Sequence, residues 1–119
     1  SPQPDEPNFA AMQDNRDRLA RMKDAAGGAI EVIDVPQPTQ VRHDDGRLMP
    51  LSYVNFYIAN GAVIVPAYGD ARDDEAAQII ADAFPDRQCV QVPALDIARG
   101  GGALHCITQQ QPDGEPIAP

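Results

Sequence analysis

The chain has 119 residues, and its 9 Lys and Arg against 18 Asp and Glu leave a net charge of −9 with both histidines neutral. That balance argues against coating nucleic acid or an acidic membrane surface. Counterion-release binding needs clustered positive charge, whereas Arg16, Arg18, Arg21 and Lys23 are interleaved with Asp14, Asp17 and Asp24. With 43% hydrophobic and 23% charged residues the chain reads as one soluble globular domain, and no apolar run approaches the ~20 residues of a membrane span.

Pro2, Pro4 and Pro7 among polar residues make residues 1–7 a loose tail. From Asn8, a fitting N-cap, apolar residues recur at Phe9, Met12, Leu19, Met22 and Ala26, and Gly27-Gly28 supplies a stop, which predicts a helix over 9–26. Ala29 to Val35 is β-branched and ends at Pro36, so a strand is expected over 29–35, followed by a loop to Pro50. Leu51–Ala59 and Ala62–Pro66 flank Asn60-Gly61, the signal of a hairpin closed by a type I′ turn with positive φ at both turn residues. Alternation along the first strand puts Tyr53, Asn55 and Tyr57 on one face, with Val54, Phe56 and Ile58 on the other.

Asp70, Asp73, Asp74 and Glu75 load the start of a helix expected over 73–84 and complement its dipole; they are not read as a cation site. Ala76, Ile79, Ile80, Ala83 and Phe84 form its buried stripe before Pro85. Cys89 to Pro93 reads as a strand parallel to one hairpin strand, returned by a right-handed crossover. Leu95 to Arg99 is a turn or short helix, and the corner Gly100-Gly101-Gly102 leads into a last strand over 104–109. A loose tail is expected over 113–119. The order describes a mixed α/β unit. No Gly-x-Gly-x-x-Gly opens a helix, so a nucleotide-binding role for the glycines is weak.

The chain begins at Ser1 without an initiator Met or a basic-then-apolar leader, which leaves open a processed product or a part of something longer. Cys89 and Cys106 do not make a disulfide framework and are read as reduced thiols in a cytoplasmic protein. Without Cys-x-x-Cys or His/Cys ligand spacing, no metal and no cofactor is expected.

Two positions invite chemistry. Cys106 follows the glycine corner and is either a small buried hydrophobe or a thiol presented to a cavity. If it lies on a strand, His105 faces the opposite side, so a base must come from elsewhere; His43, in His43-Asp44-Asp45, reads as a surface loop. Asn55, between two tyrosines, either ties neighbouring backbones together or contacts a ligand. Cys89 reads as core.

The run Ser52-Tyr53-Val54-Asn55-Phe56-Tyr57-Ile58-Ala59-Asn60-Gly61 resembles the C-terminal part of agmatine deiminases. So do Phe84-Pro85-Asp86-Arg87, the Gly100-Gly101-Gly102 corner and His105-Cys106-Ile107-Thr108-Gln109-Gln110-Gln111-Pro112. These enzymes belong to the Porphyromonas-type peptidylarginine deiminase family of the guanidino-modifying pentein superfamily. The resemblance runs from about Pro7 to Pro112 and covers only the last third or so of such an enzyme, and Ala103 stands where the pattern has Asn.

The resemblance implies an α/β propeller of five ββαβ-type modules around a substrate channel. Residues 8–50 would be a helix, strand and loop of the penultimate module, and 51–112 the final module. It implies Cys106 as nucleophile. From the residues themselves, Gly101 and Gly102, at a corner that lets the chain approach a ligand closely, and Asn55 are the candidate substrate-binding residues. It also implies a small cationic guanidino substrate, agmatine, hydrolysed to N-carbamoylputrescine and ammonia, with a His and carboxylates supplied by the remainder of the same polypeptide. The rival readings are a peptidylarginine or arginine deiminase of the same superfamily and a non-catalytic module that pairs its sheet edge with a partner. Association into homo-oligomers is left open.

Overall fold

The computed structural model describes residues 8–39 and 41–114. The tails expected at the two ends lie outside these residues, apart from Asp113 and Gly114. The centre of the fold is a three-stranded sheet in the order β1-β2-β3. β1 (Tyr57–Ala59) and β2 (Ala62–Ala67) form the expected hairpin, pairing Ile58 with Val63 and Ala59 with Ala62. The turn is not type I′. Its positive φ falls on Gly61 alone, at 73°, and no described residue other than glycine has positive φ.

α2 (Asp73–Ala83) is the expected second helix, stopped where Phe84 and Pro85 leave helical geometry. Its Ala76 and Ile80 are buried, Ile79 and Phe84 are half-buried, and Ala83 is exposed. The connection through α2 returns β3 (Gln88–Pro93) parallel to β2, with Val63 opposite Cys89 and Val65 opposite Gln91. α3 (Leu95–Ala98) is the short helix expected there. Val63, Val65, Ala76, Ile80, Ala94 and Ala98 bring the sheet and the helices into one core, which Tyr53, Tyr68, Ala103 and Leu104 complete.

Four expectations are corrected. α1 (Phe9–Leu19) ends a full two turns before 26, because the Asp24 side chain takes the amides of Ala26 and Gly28 at 2.9 and 2.7 Å and bends the chain locally. The expected strand over 29–35 does not form, and the segment is irregular. Only Ala29 bridges, to Lys23, and no described strand lies beside it to complete a ladder. Residues 51–56 are not part of β1 but form a turn, with Asn55 N donating to Ser52 O at 3.2 Å, so the two-faced alternation does not apply there. Tyr53 is 1% exposed and Val54 63%. Finally, 104–109 is not a strand: His105–Ile107 is a single 3-10 turn.

The acidic cluster at the start of α2 is not uniform. Asp73 turns its carboxylate back into the preceding loop, accepting the Tyr68 amide at 3.1 Å, the Gly69 amide at 2.8 Å and the Asp70 amide at 3.1 Å. It also accepts the Tyr53 hydroxyl at 2.7 Å. Burial, and then this carboxylate, push the Tyr53 phenol well above its ordinary range. Every bond uses a carboxylate oxygen as acceptor, so an amide nitrogen in its place would face an N–H donor. In the full-length protein Asp73→Asn should therefore cost about as much as Asp73→Ala, roughly 2–4 kcal/mol in urea unfolding. A much smaller loss for Asn would show that the loop is held by something else.

Candidate functional site

Cys106 sits in the middle of the 3-10 turn that follows the glycine corner. The turn forms because Ala103 and Leu104, at 0% and 7% exposure, are drawn into the core, and because Thr108 caps it, its Oγ1 and its amide both donating to His105 O at 2.9 and 3.2 Å. The thiol is left on the surface. His105 and Cys106 therefore diverge for a different reason from strand alternation: successive residues of a 3-10 turn are about 120° apart around the axis.

Two residues far apart in sequence meet here. Asn55 Nδ2 donates to Cys106 Sγ at 3.1 Å, and Asn55 Oδ1 accepts the His105 amide at 2.9 Å. That amide is also within 3.3 Å of Asn55 O. The Asn55 side chain thus ties the cysteine turn to the segment before β1 and touches the sulfur in the same act. The Asn55 hydrogen bond, and after it a backbone hydrogen bond from Ala103, hold the Cys106 thiol below its ordinary value. Cys89 is the contrary case. It is half-buried on β3, its Sγ 3.5 Å from Ala77 O, and burial pushes its thiol up.

The glycine corner has a local purpose. Gly101 adopts φ of 101°, a region that side chains resist. A Cβ on Gly102 would lie 2.7 Å from Cys106 Cβ and 2.8 Å from its Sγ, so only glycine lets the backbone pass this close to the cysteine.

The remaining candidates stay apart from the thiol. His43 lies in the small turn closed by the Arg42–Leu48 bridge, and among the described residues no hydrogen bond joins it to Cys106. The bonds made by His105 come from its backbone. Surface hollows occur between α1 and the 32–37 segment, beside Pro38 and Leu48, and along β1 with Gln109–Gln111, and Cys106 lines none of these. Among the described residues no group of His, Cys, Asp and Glu has the arrangement of a metal site, and no helix is long and apolar enough to cross a membrane. Sequence reasoning placed Asn55 and Cys106 separately and missed their contact, and it did not single out Tyr68, which is buried against Tyr53 and bonds Ser52. The signal for the pairing was the presence of both residues in one set of family motifs.

A family model described as Porphyromonas-type peptidyl-arginine deiminase matches residues 1–112. An agmatine deiminase of Stutzerimonas stutzeri (strain A1501) is 41% identical over 125 residues, an alignment that covers 90% of this chain and 34% of that protein. A solved structure of the agmatine deiminase of Enterococcus faecalis superposes with a TM-score of 0.87 at 34% identity, covering 94% of this chain and 35% of the other. A cysteine-to-serine variant of a C. jejuni agmatine deiminase, solved with substrate bound, gives a TM-score of 0.74 at 25% identity over 87% of this chain and 29% of the other. The chain spans about a third of the length of the curated relatives it matches.

The opposite displacements of the two thiols have a direct readout. In the full-length protein at neutral pH, iodoacetamide should alkylate Cys106 well before Cys89, as followed by mass spectrometry of the two peptides. Faster modification of Cys89 would contradict the arrangement described.

Proposed function

Because the chain belongs to the Porphyromonas-type peptidyl-arginine deiminase family, we propose that it is the C-terminal part of an agmatine deiminase in which Cys106 is the nucleophile. The observation that carries the reading is the exposed Cys106 thiol, held by the Asn55 amide and backed by a glycine that admits no side chain. The agmatine deiminases among its relatives favour agmatine as the substrate.

The chemistry fits a thiol in this setting. Resonance spreads the charge of a guanidinium and makes its carbon a poor electrophile, so attack calls for a thiolate, and a hydrogen-bond donor on the sulfur raises the thiolate fraction at neutral pH. The Cys106 thiolate adds to the guanidinium carbon and forms a C–S bond. A proton is delivered to one terminal nitrogen, the C–N bond breaks, and ammonia leaves an S-alkylthiouronium. Water then adds to the same carbon, passing a proton back to the group that protonated the ammonia; the C–S bond breaks as the second proton is lost to solvent, the thiolate is regenerated, and N-carbamoylputrescine departs. The sum is agmatine plus water giving N-carbamoylputrescine plus ammonia, with no electrons gained or lost and no cofactor called for.

The proton donor and the carboxylates that grip the guanidinium would come from the rest of the polypeptide. This chain would supply the final ββαβ module of a five-module propeller, with Gly101, Gly102 and Asn55 beside the reacting carbon. A cytoplasmic enzyme of putrescine formation is the corresponding cellular role. A second reading rests on the description of the family itself, which is of a deiminase of peptidyl arginine. Comparing kcat/KM of the full-length protein for agmatine, free arginine and an arginyl peptide separates the two, and a preference for the peptide would overturn the first.

In that protein Cys106→Ala should abolish ammonia release from agmatine, while Cys89→Ala should stay within a few-fold of the parent; equal losses would remove Cys106 from its role. Gly102→Ala, which forces the sulfur to move, should lower kcat about 100-fold. The 119 residues by themselves should release no more ammonia than their Cys106→Ala variant.

A further inference from the structure

Tyr68, immediately after β2, takes no part in the reaction as drawn above, yet it is built into the site more tightly than any candidate but Asn55. It is 7% exposed, and its ring centroid lies 5.5 Å from that of Tyr53. Its amide is fixed by both oxygens of Asp73 at 3.1 Å. Its hydroxyl reaches across to Ser52 and uses both of its capacities there, donating to Ser52 O at 3.0 Å and accepting from Ser52 N at 3.3 Å. Ser52 O also accepts the Asn55 amide at 3.2 Å, the bond that closes the turn from which the Asn55 side chain reaches Cys106 and His105.

Resting on the reading of Cys106 as the nucleophile, we propose that Tyr68 is a positioning residue for the reaction: by pinning Ser52 through both backbone groups, its hydroxyl holds the 52–55 turn so that the Asn55 amide stays on the sulfur. The bonds run without a gap from Asp73 to Tyr68, from Tyr68 to Ser52, from Ser52 to Asn55 and from Asn55 to Cys106. Ser52 and Asn55 are joined through their backbones three residues apart, so a displacement at Ser52 passes to Asn55 with little slack. Among the described residues the hydrogen bonds of Ser52 are made by its main chain, and the hydroxyl of Tyr68 is the one side-chain group that joins them.

The effect is one of placement and not of charge. His105 neighbours Cys106 on its own turn, Tyr68 from the loop after β2 is near enough for the Cys106 charge to act on its phenol, and Asp73 binds the Tyr68 amide. Burial pushes the Tyr68 phenol up, so it stays neutral while a thiol titrates. Removing its hydroxyl takes away a hydrogen-bond pin and leaves the local charge as it was.

The test uses the full-length protein with Tyr68→Phe, which deletes one oxygen and keeps the ring. With Asn55 loosened from the sulfur, the thiolate loses its donor, so the pH midpoint for alkylation of Cys106 should rise by about half a unit. The value of kcat for agmatine should fall about tenfold with KM little changed, since Tyr68 does not touch substrate. Ile80→Val, a core change elsewhere on α2, should lower the melting temperature without moving the midpoint. An unchanged midpoint and kcat in Tyr68→Phe overturn the proposal, as does an equal midpoint shift in Ile80→Val. In the unaltered protein the Ser52 and Asn55 amides should exchange with solvent deuterium as slowly as those of β2. Free exchange at both overturns the pin even where Tyr68→Phe does not fold. Turnover persisting in Cys106→Ala would overturn the underlying reading, and the alkylation midpoint, which needs no turnover, separates that failure from failure of the pin.

Discussion

The Asp73 carboxylate gathers the loop behind the site. Its oxygens accept the Tyr53 hydroxyl and the amides of Tyr68, Gly69 and Asp70, which lie in two segments separated by the whole of the hairpin. Each N–H and O–H dipole points its positive end at the carboxylate, so its two oxygens are satisfied by these donors. The burial of two tyrosines side by side follows from this, since each hydroxyl has a partner. Without that satisfaction the pair would each leave a polar oxygen inside the core.

From that anchor the geometry of the thiol follows in short steps. The tyrosines fix the 52–55 turn, the turn presents Asn55, and Asn55 holds the cysteine loop by one oxygen and the sulfur by one nitrogen. On the other side Gly102 closes against Cys106 at a distance that no Cβ tolerates. The sulfur is confined between an amide and a bare backbone while one side stays open to solvent. A nucleophile needs that combination: fixed in direction, favoured as an anion and reachable.

What the sequence revealed and what it hid divide along the range of the interactions involved. The hairpin, α2 and the parallel β3 were legible because Asn60-Gly61, the Ala76/Ile80 spacing and the β-branched run of β3 act locally and agree with the packing. α1 was overextended because Asp24 competes for the backbone with its own side chain, which apolar spacing does not register. The 29–35 segment has strand composition and no described ladder, since a strand is completed by its neighbour and not by its own residues. Residues 104–109 looked like a strand because Leu104, Ile107 and Thr108 favour one, but the capping hydroxyl of Thr108 and the burial of Ala103 and Leu104 curl the chain instead. Asn55 and Cys106 were each noticed alone, and their contact, 51 residues apart, has no periodicity to betray it.

The separation along the chain of the groups that hold the sulfur also orders their assembly in time. β2, α2 and β3 are consecutive, and their parallel pairing closes a loop about half as long as the one between Asn55 and Cys106. Shorter loops cost less entropy to close, and contacts between neighbouring elements set folding speed. The sheet and helix therefore form a scaffold on which the turn carrying Asn55 and the final glycine corner must dock from opposite ends. In chain order Cys106 follows every described residue of this core. The hydrogen bond from Asn55 to the sulfur therefore forms only when both ends of this long loop have docked.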